Sequence, residues 1–152
     1  MKTEKTIEVL NSLIEINNDR IYGYETASKE VEETDLKMMF LHATETSIKC
    51  KAQLVAEVMS LGGKHTESTT TSGKIYRLWM DVKASVTGKD RKGILDSCVF
   101  GEDAAIDTYK DALGEEEHLT SDQHMMIAEQ LLSIKSDQDK VKRIRDLIEL
   151  SK

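Results

Sequence analysis

The chain has 152 residues, of which 39% are hydrophobic, 32% charged and 5% aromatic, with no proline and a net charge of −7 from 21 basic and 28 acidic side chains. That is the commonest size for one domain, and folding at that size hides roughly 70% of the extended chain's surface. Collagen-like, proline-rich, disulfide-framework and wholly disordered classes are excluded, and β-sandwiches, which need frequent turns and β-branched or aromatic strands, are disfavoured.

Ile7, Leu10, Ile14, Ile21, Tyr24 and Val31 recur at steps of three and four or their sums, the buried stripe of a helix over about 3–31. Asn17 and Ser28 fill its polar steps. Glu32-Glu33-Thr34-Asp35 then interrupts, with Thr34 or Asp35 as N-cap. A second stripe (Leu36, Phe40, Ala43, Ser47, Cys50, Leu54, Val58, Leu61) predicts a helix over 35–61, stopped at Gly62-Gly63 by a left-handed C-cap. So short a break makes the two helices antiparallel neighbours.

Residues 64–73 carry no apolar side chain and predict an exposed, mobile loop. Ile75, Leu78, Trp79, Val82 and Val86 predict a short amphipathic helix over 74–86, packed on the bundle through Trp79; an exposed Trp79–Met80 patch would instead mark a dimer contact. Ile94, Leu95, Cys98, Glu102, Ala105, Tyr109 and Ala112 form the stripe of a helix over 90–113, closed by Gly114. The last helix, over 121–150, opens on a Thr120–Gln123 capping box and runs through Ile127, Leu131, Ile134, Gln138, Val141 and Ile148.

Helices of about 27 residues span roughly 40 Å, and residues 62–89 reach about 50–60 Å, enough to run the length of a bundle. The expected fold is all-α: one ferritin-like four-helix-bundle domain over 1–152, two antiparallel hairpins joined by a long crossover containing a short helix. A three-helix core with a mobile hairpin is the alternative.

Several functions are excluded by absences in the sequence. No apolar run approaches a membrane span, and the N-terminus has no signal core, so a cytoplasmic protein away from membranes is expected. The acidic balance disfavours nucleic-acid binding. Cys50 and Cys98 have no C-x-x-C spacing and read as small buried apolar residues. No Ser-His-Asp set or phosphate-cradling glycine loop is visible.

A further set of residues carries a family likeness: 13–20 (Leu-Ile-Glu-Ile-Asn-Asn-Asp-Arg) with Gly23-Tyr24-Glu25, Ala56-Glu57-Val58 with Leu61-Gly62-Gly63, and Ser72-Gly73. Arg77-x-Trp79-Met80-Asp81-Val82-Lys83-Ala84, Thr87-Gly88-Lys89-Asp90-Arg91-Lys92 and Gly101-Glu102-Asp103-Ala104-Ala105 complete it. Together these resemble a bacterial ferritin-like four-helix-bundle family known as a domain of unknown function. The resemblance implies the fold and no activity. Relatives carry a histidine late in the fourth helix where this chain has Gln138-Asp139, a departure that counts against an inherited metal role.

A ferritin-like di-metal centre takes one glutamate from each of two helices and Glu-x-x-His from the other two. His42 follows Met39 by three, His124 follows Ser121 by three, and His65 lies in the loop. Only Glu115-Glu116-Glu117-His118 has the spacing, and it falls outside both flanking helices, as a solvated acidic turn. Carboxylates alone bind manganese or iron. Glu102, on the buried stripe, is the best single candidate, with Glu25 a weaker one and Glu45 less clearly inward. The bland reading of Glu102 is a carboxylate bonded to Tyr24, Tyr109 or Arg20, since burial disfavours a lone charge.

Asn17, Tyr24, Ser47, Glu102, Tyr109 and Gln138 form a candidate polar cluster inside otherwise apolar stripes, lining a small cavity, left from a lost metal centre, or fixing helix register. Met38-Met39 and Met125-Met126 read as gap-filling core, and Lys140, Lys142, Arg143 and Arg145 as a basic helix end suited to the dipole. The first functional expectation is a non-enzymatic bundle without cofactor or complete di-metal site. It would act by self-association (a dimer or other homo-oligomer) or through a protein partner, with stress physiology an analogy to other ferritin-like proteins. The competing expectation is a metal-binding oxidase or iron-handling protein using Glu102 with iron or manganese. A DNA-protecting mini-ferritin is weakened by the acidic charge.

Overall fold

The computed structural model describes residues 2–69 and 91–150. Four long helices follow the four stripes: α1 Lys2–Glu30, α2 Thr34–Ser60, α3 Arg91–Leu113 and α4 Ser121–Leu150, with a 3-10 turn at Glu116–His118. The helix expected over 74–86, with Trp79, lies outside the described residues. Helix α1 packs most closely on α2, and α3 on α4, while the α1–α3 and α2–α4 seams are looser. A four-helix core replaces the three-helix alternative.

The helix ends are chemically marked. At the end of α2, Gly62 takes a left-handed φ of 78°. Its N–H reaches Met59 O at 3.0 Å, and that of Gly63 reaches Val58 O at 3.0 Å, the paired bonds of a Schellman stop. Before α4, Thr120 N–H donates to Gln123 Oε1 at 2.9 Å and Gln123 N–H to Thr120 Oγ1 at 3.1 Å, the reciprocal bonds of the expected capping box. The N-cap of α2 departs from expectation. Glu33 holds that position without a side-chain capping bond. Glu33 and Asp35 both turn instead to Arg91 at the start of α3, with Arg91 Nη2 2.6 Å from Asp35 Oδ2.

That contact also sets the topology. The α1–α2 turn and the start of α3 share one end of the bundle, while Thr6 donates to the His118 carbonyl at the other. Gly63 and Arg91 therefore stand at opposite ends of the bundle. The first residues of the crossover, expected as a loose loop, are tied to α1. Asn11 Nδ2 donates to Lys64 O at 3.1 Å, Thr66 N–H to Asn11 Oδ1 at 3.0 Å, and Asn18 Nδ2 to Ser68 O at 2.8 Å. Two asparagines seven residues apart, two turns of one helix face, hold the chain against it. A Cβ on Gly63 would sit 2.6 Å from Ile7 Cδ1, so the strap begins in close contact with α1.

The Arg91 contact gives a pH dependence. Its hydrogen bond, chiefly, holds the Asp35 carboxyl below its ordinary range. The unfolded pKa is the higher one, so the contribution is present above about pH 4 and lost as pH falls through the folded value. In urea titrations, Arg91→Ala is expected to be less stable than wild type near neutrality, with the difference closing toward about pH 3.

Inside, the apolar core divides in two. One cluster, including Tyr24, Leu36, Phe40, Ile94 and Val141, fills the end near the α1–α2 turn. The other, including Leu10, Ile14, Leu54, Tyr109 and Ile134, fills the opposite end. Cys50 and Cys98 are buried free thiols, as expected, and burial first of all raises both pKa values. The methionines split: Met39 and Met126 pack against the core, whereas Met38 and Met125 are exposed, on helix faces away from the axis.

Candidate functional site

A belt of polar side chains lies at mid-height between the two apolar clusters, and its centre is Arg20. Helix register explains why. Arg20 stands three residues after Asn17 and four before Tyr24, so it shares the inward face with both. Its guanidinium is fully buried. Nε donates to Glu102 Oε1 at 2.7 Å and Nη2 to Glu102 Oε2 at 2.8 Å, a forked pair between α1 and α3. Nη2 also reaches Asp137 Oδ2 of α4 at 3.3 Å, and Nη1 donates to Ser47 Oγ of α2 at 2.5 Å. One side chain thus touches all three other helices. The ring of Tyr24 lies against the guanidinium, its centroid 5.5 Å from Cζ.

Two opposed effects act on the pair. Burial pushes the Glu102 carboxyl above its ordinary range, Arg20 pulls it back, and Asp137 adds to the rise. Burial acts to lower the pKa of Arg20, but Glu102, and then Tyr24 and Asp137, raise it above the ordinary value. The fork, with each nitrogen on its own oxygen, is the geometry of a charged guanidinium–carboxylate pair. Asp137 also faces outward: its Oδ1 lies 3.3 Å from Nε2 of His42, an exposed residue at the α2–α4 seam.

A second network lies beside the first. Asn17 Nδ2 donates to Tyr109 O–H at 2.8 Å and to Leu13 O at 2.8 Å. Tyr109 donates to Gln130 Oε1 at 2.7 Å, and Gln130 Nε2 reaches Gln53 Oε1 at 2.9 Å and Cys50 O at 3.3 Å. Burial keeps the Tyr109 phenol protonated, its pKa well above the ordinary value, so it remains a donor. Tyr109→Phe removes the donor to Gln130 and the acceptor for Asn17. It is expected to cost about 1–3 kcal/mol of unfolding free energy in urea titration, with the fold unchanged by circular dichroism.

The expected cluster is therefore brought together in part. Asn17 and Tyr109 share one network, and Tyr24, Ser47 and Glu102 surround Arg20. Gln138 is buried but separate, donating to Val99 O at 3.2 Å and Asp103 Oδ1 at 2.7 Å. Of the three partners expected for Glu102, Arg20 holds both carboxylate oxygens and Tyr109 belongs to the other network. Glu25 is exposed and pairs with Lys29, and Glu45 is exposed too, so neither reaches the centre. Asp137 and Gln130 were missed by the sequence reading, and Arg20 entered it only as a partner. All three lie at three- or four-residue steps from stripe positions, which is the signal that marks them.

Fold and site together define a ferritin-like four-helix bundle with a buried ion-pair cluster at its centre. A structural match agrees: the crystal structure of "ferritin like, diiron-carboxylate proteins" from Bacillus anthracis str. Ames superposes with a TM-score of 0.75 over 95% of this chain and 98% of that one, at 15% identity. The family model for the Domain of unknown function DUF2383 matches residues 5–115, and the chain belongs to that family. No curated protein matches the chain.

Proposed function

We propose that the protein is a non-enzymatic bundle that works by assembling with further copies of itself. The observation that carries this reading is the outer face of α2. Met38, Leu41, Ile48 and Met59 stand there between 43 and 63% exposed, at helical spacing, opposite the buried stripe of the same helix. A helix buried along one side needs no second apolar row, and such rows mark interaction surfaces. The occupant proposed is a second copy, presenting the outer face of α3, where exposed Phe100 stands in a row with Asp96, Asp103, Asp107 and Asp111. Lys37 and Lys49 flank the α2 row against one acid within it, Glu45, so its balance is opposite in sign to the aspartates of α3, an arrangement that sets register and speeds encounter. Contacts between two different faces close into a ring or extend.

Sedimentation across a range of concentrations tests this. Association is expected to weaken with added salt and to be lost in Ile48→Glu, which places an acid against the acidic face without disturbing the core. A strict monomer at every concentration overturns the proposal.

The competing reading, an oxidase or iron-handling protein using Glu102, meets an unsuitable donor set. A di-metal centre in this architecture needs four carboxylates and two imidazoles from the four helices. The centre offers Glu102 and Asp137, both already facing a guanidinium whose charge repels another cation at the same oxygens. Among the described residues, three metal-ligating atoms of this kind come within 4.8 Å of one another only at Glu115, Glu117 and His118, in the turn at one end of the bundle. These residues do not fit a di-metal centre. Stoichiometric ferrous-iron binding under anaerobic conditions, abolished by Glu102→Ala, would reinstate the oxidase.

A further inference from the structure

The groups surrounding the Arg20 guanidinium form a receptor for a planar cation. Two oxygens of Glu102 meet Nε and Nη2 along one edge, Asp137 adds a second carboxylate at Nη2, and Ser47 Oγ accepts from Nη1. The electron-rich face of Tyr24 lies against the guanidinium. Each partner offers negative charge, a lone pair or a π face, and the forked edge matches a guanidinium rather than a sphere. Glu102 and Ser47 are fully buried, so the receptor is enclosed on those sides.

The remaining side leads outward. Asp137 lines a groove of about 520 Å³ along the α2–α4 seam, together with His42, Glu45, Gln53 and Ser133. The centre is thus one side chain deep from solvent at Asp137, although Arg20 itself is fully enclosed.

We propose that the bundle centre is a guanidinium-binding site filled from within: Arg20 supplies the cation that Glu102 and Asp137 require, in place of any bound ion. With the arginine side chain cut back, the same site takes up free guanidinium from solution through the α2–α4 groove. The selectivity follows from shape. Two parallel hydrogen bonds on Glu102 need two N–H groups in one plane, which an alkali ion, urea's neutral amide or a divalent metal does not provide with the same charge and geometry. The inference does not depend on self-association, because the groups that hold the guanidinium, Glu102, Asp137, Ser47 and Tyr24, are all buried inside the bundle.

The test uses the full chain, melted with and without guanidinium chloride at about 20 mM, far below the molar range in which it denatures. Sodium chloride and urea at the same concentration are the controls. Arg20→Ala is expected to gain about 5 °C in Tm, saturably, with guanidinium alone. Wild type is expected to gain nothing, and Arg20→Ala/Glu102→Gln likewise. A folded Arg20→Ala that shows no guanidinium-specific gain overturns the proposal, as does an equal gain in the double variant or with manganese chloride. Should Arg20→Ala fail to fold alone, it is refolded with guanidinium present, and failure there also overturns it. Wild type provides a separate arm by calorimetry with manganese chloride: no heat at the centre is expected, and binding abolished by Glu102→Gln overturns the proposal.

Discussion

Arg20→Met is expected to lower the unfolding free energy by about 3–5 kcal/mol, measured in urea so that no guanidinium enters the experiment. Methionine keeps most of the volume and removes the charge. Glu102, fully buried, and Asp137, nearly so, then face each other's field without a cation, and Ser47 loses its donor. Removing one partner of a buried pair leaves the other's desolvation uncompensated, which costs more than the intact pair contributes. The corollary separates this cause from a simple packing defect. Arg20→Met/Glu102→Leu/Asp137→Leu, with the whole cluster made apolar, is expected to recover most of the loss or to exceed wild type, as replaced buried ion pairs elsewhere do. A loss below about 1 kcal/mol in the single variant, the range of exposed ion pairs, would mean that the carboxylates find water or protons without rearrangement.

Phe40→Ala is expected to cost about 3–5 kcal/mol, the range for emptying a buried aromatic site. Phe40 is fully buried in the cluster near the α1–α2 turn, and its ring packs on Tyr24 with centroids 5.7 Å apart and planes tilted by 32°. Tyr24 in turn lies against Arg20. The lost ring therefore removes hydrophobic burial and also the backing of the tyrosine that borders the ion pair. Phe40→Leu, which keeps a branched apolar group of similar reach, is expected to cost under about 1.5 kcal/mol. A double-mutant cycle of Phe40→Ala with Arg20→Met reads the link through Tyr24: a coupling of at least about 0.5 kcal/mol is expected, whereas strict additivity would make the two sites independent.

Both results depend on the division of the core. The polar belt lies between two apolar clusters and touches all four helices, so a helix sliding by one turn would leave a charged group against hydrocarbon. Buried ionic groups contribute little net stability but penalise the wrong alignment heavily, and here they act across the bundle axis. The looser α2–α4 seam is bridged at this height by Gln130, which bonds Gln53 and the Cys50 carbonyl, and by the His42–Asp137 contact.

Much of the architecture was legible in the residues because it is local or periodic. Four stripes at three- and four-residue steps predict four helices, and the described ends fall within a residue or so of expectation. Gly62 and Thr120–Gln123 mark a stop and a start by conformations and hydrogen bonds that nearby residues alone supply. The length of 62–89 against the length of the helices predicts a crossover running the whole bundle. Glu102 was also legible as a buried carboxylate in need of a partner, as was the lack of a Glu-x-x-His motif within the helices.

What the tertiary structure alone decided is which polar groups meet. Arg20 and Glu102 are 82 residues apart and Arg20 and Asp137 are 117 apart, so no spacing rule pairs them. Arg20 and Ile21 both fit the stripe of α1 by step, yet Arg20 is fully buried and Ile21 only partly. The physical reason is the carboxylate across the axis: burying Glu102 is tolerable only with a cation beside it, and α1 can deliver one at position 20. Likewise, residues 64–68 contain nothing apolar and read as free loop, but Asn11 and Asn18 bond three of their backbone groups and hold them along α1. The composition carries an excess of acid, 28 acidic against 21 basic side chains. Most of it is solvated surface, and at the centre of the bundle two of the buried acids, Glu102 and Asp137, answer to an arginine.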